Sequence, residues 1–179
     1  MKPTKATVQS LTNEISEIPT PRGDIGTVKA LIIRPQRGLR QRVDSIRLTP
    51  EGGIEGDRWG KSNQTSRLRQ VSIIRADILD IFSGGDNQDL SGDNIHVDFD
   101  LSHENLPNGA TLHIGNVILK VSSIKHLPCE QFTERFGKTA YDVAKSTQML
   151  NIRARGALFE VIRGGTISTN DTVHSKNLQ

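Results

Sequence analysis

From Gly23 onward the apolar residues fall in short runs separated by Gly, Pro, Asn and Asp. That texture predicts strands and tight turns. The run Ile25-Gly-Thr-Val-Lys-Ala-Leu-Ile-Ile33 is β-rich and stops at Arg34-Pro35, where proline pushes the preceding residue toward extended geometry and withdraws a backbone donor. Val43 to Leu48 alternates weakly at period two. Val71-Ser-Ile-Ile74 reads as a buried strand, and Ala76 to Phe82 fits a short helix crossing the sheet, with Ile78, Leu79 and Phe82 inward. Thr111 to Val121 holds two β-rich runs joined by Gly115-Asn116, a pair suited to a two-residue hairpin turn. Pro128 to Phe136 predicts a helix, with proline in its first turn, and Tyr141 to Met149 continues helically. Gly156 to Ile162 is the next strand, closed by Gly164-Gly165, and a final short strand lies around Thr166 to Val173. Many short strands with two or three helices make the chain mainly β and favour a closed or nearly closed β-barrel over a doubly wound sheet.

The stretch before Gly23 differs. Residues 1–22 are mostly polar, carry three prolines and read as a flexible N-terminal arm. Leu11, Ile15 and Ile18 share one helical face, which permits a transient helix from Asn13 to Ile18. The expected division is an arm over 1–22, one domain over 23–174 and a C-terminal tail over 175–179.

Composition narrows the class. With 179 residues the chain suits a single core, and its one cysteine rules out an intrachain disulfide or a cysteine-rich zinc site. No apolar run approaches the ~20 residues that cross a bilayer, and the N-terminus lacks a signal-peptide layout. A cytoplasmic protein without a membrane partner is expected. Aromatic residues make up 4%, too few for a base-stacking surface, so no specific nucleic-acid partner is expected.

Charge is more informative by position than in sum. The chain carries 23 basic and 20 acidic residues, a net +3. Between Arg34 and Arg69 the basic residues exceed the acidic ones by more than that net charge. Such a segment is either a solvated face or an anion site in which arginine forks pair with phosphate or carboxylate oxygens. Two glycine-bearing loops, Gly52 to Gly60 and Ser91-Gly92-Asp93-Asn94, either form tight turns or bring N–H groups to a ligand; neither is a nucleotide-binding fingerprint. Cys129 follows Lys125-His126-Leu127-Pro128 at a strand-to-helix junction. Basic neighbours and a helix N-terminus favour thiolate there, the nucleophilic and metal-binding form, and the alternative is an inert buried thiol.

Taken in order, Arg34-Pro35-Gln36-Arg37-Gly38, Gly53-Ile54-Glu55-Gly56-Asp57-Arg58-Trp59-Gly60, Ser91-Gly92-Asp93-Asn94, Asn108-Gly109 to Ile114-Gly115, Pro128-Cys129 and Arg155-Gly156-Ala157 to Gly164-Gly165 resemble the MOSC domain. This is the C-terminal domain of molybdenum cofactor sulfurases, also found as small stand-alone proteins. The resemblance spans roughly residues 23–174. It departs from the family pattern at Asp93, where glutamate is usual, at Trp59, where histidine is common, and at Asn170-Asp171 in place of a Gly-Asp turn.

The resemblance implies a barrel-like fold carrying a molybdopterin-type cofactor, with Cys129 as molybdenum ligand or sulfur carrier; a pyridoxal phosphate role is not expected. Arg37, Arg40 and Arg58 become candidates for the cofactor's phosphate, beside Gly56 and Asp57 in the same loop. Gly92 and Asn94 become pterin or phosphate contacts, and Arg153 with Arg155 a second basic pair closing the pocket. Two functions follow from the resemblance. One is an oxidoreductase acting on N-hydroxylated or related small molecules, fed by an external electron donor protein. The other is a module that receives sulfur from a donor and holds it as a persulfide on Cys129 without turnover.

Overall fold

The computed structural model describes residues 6–61 and 66–176. Seven strands form a closed mixed barrel: β1 (Ile25–Ile33), β5 (Val71–Arg75), β6 (Ile95–Asp98), β7 (Thr111–Ile114), β8 (Val117–Val121), β9 (Ala157–Arg163) and β11 (Thr172–Lys176). β11 closes the ring by pairing with both β7 and β1, with Gly26 opposite Val173. β2 (Gln41–Val43) hangs on β1, while β3 (Ser45–Thr49), β4 (Gly53–Ile54) and β10 (Gly165–Ser168) form a small second sheet. Helices α1 (Val8–Glu17), α2 (Ala76–Ser83), α3 (Glu130–Lys145) and α4 (Thr147–Asn151) complete the fold. Among the described residues, no helix is long and apolar enough to cross a membrane.

Local sequence explains the main elements. The hairpin of β7 and β8 turns at Gly115-Asn116, with Ile114 opposite Val117. In β1 both Val28 and Leu31 enter the barrel core although they are three apart, because the pairing with β6 shifts register between Val28 and Ala30. β5 is buried at every position since Val71 and Ile73 point into the barrel while its other face lies under helices. α2 carries the chain from β5 to the parallel β6.

Two apolar cores result. One fills the barrel, with Phe99, Phe159 and Leu112 among its members. The other joins the helices and includes Leu11, Ile15, Ile78, Phe82, Phe132 and Val143.

Several expectations are corrected in detail. The arm over 1–22 contains a docked helix, α1, which starts earlier than the expected Asn13. Thr7 and Ser10 form a reciprocal cap at its start, and Leu11 and Ile15 are buried in the helical core, which offsets the ordering of a short helix. Residues 1–5 lie outside the described residues. The final strand is two strands, β10 and β11, separated by a turn in which Asn170 is left-handed at φ 72°. Ser175 and Lys176, assigned to a tail, belong to β11, and residues 177–179 lie outside the described residues. β6 is a strand that the sequence reading did not foresee.

Because Ile15 is 2% exposed at the joint between α1 and α3, Ile15→Ala should lower unfolding free energy by about 2–4 kcal/mol in urea melts. A loss below about 0.5 kcal/mol, within the range of ordinary surface changes, would mean that α1 does not dock.

Candidate functional site

The site is built around Arg34, which follows β1 and precedes Pro35. Its Nε donates to Asp57 Oδ2 at 2.9 Å and its Nη2 to Asp57 Oδ1 at 3.0 Å, a fork on one carboxylate. Asp57 also accepts from the Arg34 backbone N–H at 2.9 Å and the Trp59 N–H at 3.0 Å. Burial pushes the Asp57 carboxyl up, but the Arg34 guanidinium and these N–H groups outweigh it, and the net pKa lies below the usual carboxylate value. Asn94, fully buried, donates to Asp57 Oδ2 and Ile32 O and accepts from Arg34 and Ser72. The Asp57 and Asn94 loops are thereby pinned to β1 and β5.

Beside this clamp lies a cavity of about 170 Å³. Arg34, Arg40, Arg58, Arg69, Arg135 and Arg155 line it, with His126 and Cys129. Gly92 forms part of the wall at φ 72°, where a Cβ would stand 3.1 Å from Arg40 Nε. Glycine therefore suits both the left-handed backbone and the close approach of the arginine.

Asp93 is buried and accepts from Arg155 Nη1 at 2.7 Å. Burial raises the Asp93 carboxyl, yet the Arg155 guanidinium prevails and holds it below its usual value. His126 Nδ1 stands 3.7 Å from Asp93 Oδ1, beyond hydrogen-bond range. Burial first, then Arg155, Arg34 and Arg69, push the His126 imidazole down to about 3, with Asp93 opposing, so the ring is neutral at ordinary pH.

Cys129 is the N-cap of α3, exposed at the cavity, and its carbonyl accepts from the N–H groups of Phe132 and Thr133. One turn on, Phe132 packs against Phe82 and Phe136 at 5.4 and 5.0 Å between centroids, and Arg155 lies 5.0 Å over its ring. The thiol is thus set on an element anchored in the helical core.

The expected site residues divide into three groups. Arg40, Arg58, Gly92, Arg155 and Cys129 meet at the cavity. Asp57 and Asn94 stand behind it and hold Arg34. Arg37 and Gly56 are exposed and do not line it, and Arg153 points elsewhere. The Arg153 Nη1 donates to Leu101 O and Leu106 O at 3.0 and 2.7 Å, bracing the loop before β7. Burial lowers its guanidinium to about 10. Arg34, Arg69, His126 and Arg135 also line the wall and were not among the expected site residues. Arg34 and Arg69 lie at the ends of the basic segment, and His126 and Arg135 flank Cys129 in the chain, which is the signal that would have found them.

The MOSC domain matches residues 66–174 of the chain. The chain belongs to the MOSC domain family. MOSC domains are associated with binding of the molybdenum cofactor. No curated protein matches the chain in sequence. Among solved structures, YuaD from Bacillus subtilis superposes with a TM-score of 0.66 at 18% identity, covering 87% of this chain and 97% of its own. YiiM from Escherichia coli gives 0.59 at 18%, covering 86% and 71%, and YiiM from Geobacillus stearothermophilus 0.57 at 9%, covering 85% and 75%. At these identities the likeness establishes the fold.

The MOSC cavity depends on the Arg34–Asp57 clamp, so Asp57→Asn should cost about 3 kcal/mol at neutral pH. Since the folded pKa of Asp57 lies below its unfolded value, its contribution is present above the unfolded value of about 3.9 and is lost as pH falls through the folded one. Wild type and variant should therefore converge in acid. Denaturant melts across pH check this, and an equal gap in acid and at neutral pH would overturn the assignment.

Proposed function

We propose that the arginine cavity binds a molybdopterin-type cofactor, with Cys129 as the molybdenum ligand, and that the protein is an oxidoreductase acting on N-hydroxylated or related small molecules. The observation that carries the reading is the placement of one exposed thiol at a cavity lined by six guanidiniums. The residues present suit such a group. Its anionic tail needs positive donors, and among the described residues the buried Nε atoms of Arg40 and Arg155 have no partner within the chain. Its metal is soft and accepts thiolate.

When bound, the cofactor supplies redox chemistry at molybdenum. The chain's part is to hold and orient. Arg40, Arg58, Arg69 and Arg135 face the cavity with no carboxylate partner among the described residues and fix the anionic end, while Arg34 and Arg155 are held by Asp57 and Asp93. The α3 N-terminus sets the Cys129 thiol at the cavity. Electrons come from an external donor protein.

The exposure of Cys129 also suits a second reading, persulfide carriage without turnover. Two measurements separate them. Wild type from a cofactor-producing host should hold close to one molybdenum per chain, and Cys129→Ala should lose it; equal metal content in both overturns the ligand assignment. A sulfur-mass adduct on the Cys129 peptide after incubation with a cysteine desulfurase, in protein free of molybdenum, favours carriage.

A further inference from the structure

His126 stands between two chambers. On one side is the arginine cavity; on the other, which we call the inner chamber although Ser123, Lys125 and Asn151 open it to the surface, is a space of about 60 Å³ lined by polar groups that include His103, Asn108 and Ser122. His126, Arg155 and Leu158 line both and form the partition. At about 10–15 Å³ for each water, the inner chamber has room for an ordered water chain. The His126 Nδ1 is buried and, among the described residues, has no hydrogen-bond partner within the chain. A polar atom so placed is normally matched by water or ligand.

Elimination points the same way. Guanidiniums do not give up protons near neutral pH. Asp93 is held as a carboxylate by Arg155. Cys129 is assigned to the metal. Of the described residues lining the arginine cavity, His126 is left as the one side chain able to take and release a proton.

We propose that His126 is the proton carrier of this site, passing protons from the inner chamber to the Cys129 end of the cavity when the cavity holds its anionic ligand. The inference rests on the cofactor reading above. Reduction of an N-hydroxyl group breaks the N–O bond, forms one N–H and one O–H bond, and releases water. It consumes two electrons, from the external donor protein, and two protons, which must reach a cavity otherwise walled by arginine.

Charge supplies the gate. Arg34, Arg69 and Arg155 act on His126 from the cavity side, with Arg40, Arg58 and Arg135 on the same wall. His103, Lys125 and Arg153 line the chamber behind it, and among the described residues lining the two chambers Asp93 is the one carboxylate. Burial first, and then the guanidiniums, keep the imidazole neutral. An anion bound among them cancels much of that field, and Asp93 is then placed to steady an imidazolium.

Histidine side-chain NMR of the full chain tests this with inorganic pyrophosphate as the probe, and His126→Asn identifies the resonance. Without pyrophosphate the ring should stay neutral between about pH 5 and 8, and with pyrophosphate its titration should move up into that range. A ring that ignores bound pyrophosphate overturns the proposal, as does failure of pyrophosphate to bind. Neither result depends on molybdenum, so the cofactor reading stands or falls separately on metal content. In the loaded enzyme, His126→Asn should keep its molybdenum and its KM but lose about 10²-fold in kcat, with a changed pH profile. Unchanged kcat and pH profile at full metal content would also overturn the proposal.

Discussion

The carboxylate of Asp57 holds the site together. It is almost wholly buried, and it survives burial because Arg34 grips it through both side chain and backbone while Asn94 and the Trp59 N–H fill further positions around it. Removing one member would leave the others desolvated and unpaired, a far larger loss than a surface ion pair would suffer. Asn94 extends the clamp to Ser72 on β5 and Ile32 on β1. Two strands and two loops from distant parts of the chain therefore share one network, and the cavity wall is rigid before any ligand arrives.

That rigidity bears directly on charge. Six guanidiniums around a small cavity repel one another, and among the described residues only Arg34 and Arg155 of the six have carboxylate partners, Asp57 and Asp93. The remainder make an anion site of the folded protein, which a flexible surface would relax by spreading the charges apart. The barrel prevents this by placing Arg34 just after β1, Arg69 before β5 and Arg155 before β9. Binding an anion then relieves strain already present, and little ordering is left to be done on association.

Much of this was legible from residues alone. The β1, β5 and β8 runs, the Gly115-Asn116 hairpin and the α2 crossover follow from local pattern, since each is fixed by nearest neighbours along the chain. The concentration of arginine before Arg69 and the junction at Cys129 were legible for the same reason. β6 was not, because its His96 and Asp98 break the apolar signature; His96 is buried by α2 and its neighbours, a fact of packing invisible in one segment. The separate duties of Arg153 and Arg155 were equally hidden. Two residues apart and of one type, they differ only in what the fold sets opposite them, loop carbonyls for Arg153 and Asp93 for Arg155.

The N-terminal segment carries the same lesson into function. Three prolines and a polar texture suggest an arm, yet α1 packs against α3 and contributes Leu11 and Ile15 to the core that holds Phe132. α3 is broken at Gly137, where φ is 86° and ψ 166°, so its first segment, which presents Cys129, is not stiffened by continuous helix with the second. Glycine is suited to that break because a residue with a side chain would be strained at that positive φ. What fixes the Cys129 segment is then its own anchorage through Phe132, wedged between Phe82, Phe136 and the Arg155 guanidinium. The thiol's position is consequently a property of the helical core, and the guanidiniums' positions belong mostly to the barrel. The site lies at the seam between the two cores, and Arg155, bonded to Asp93 on one side and stacked on Phe132 on the other, is the residue that joins them.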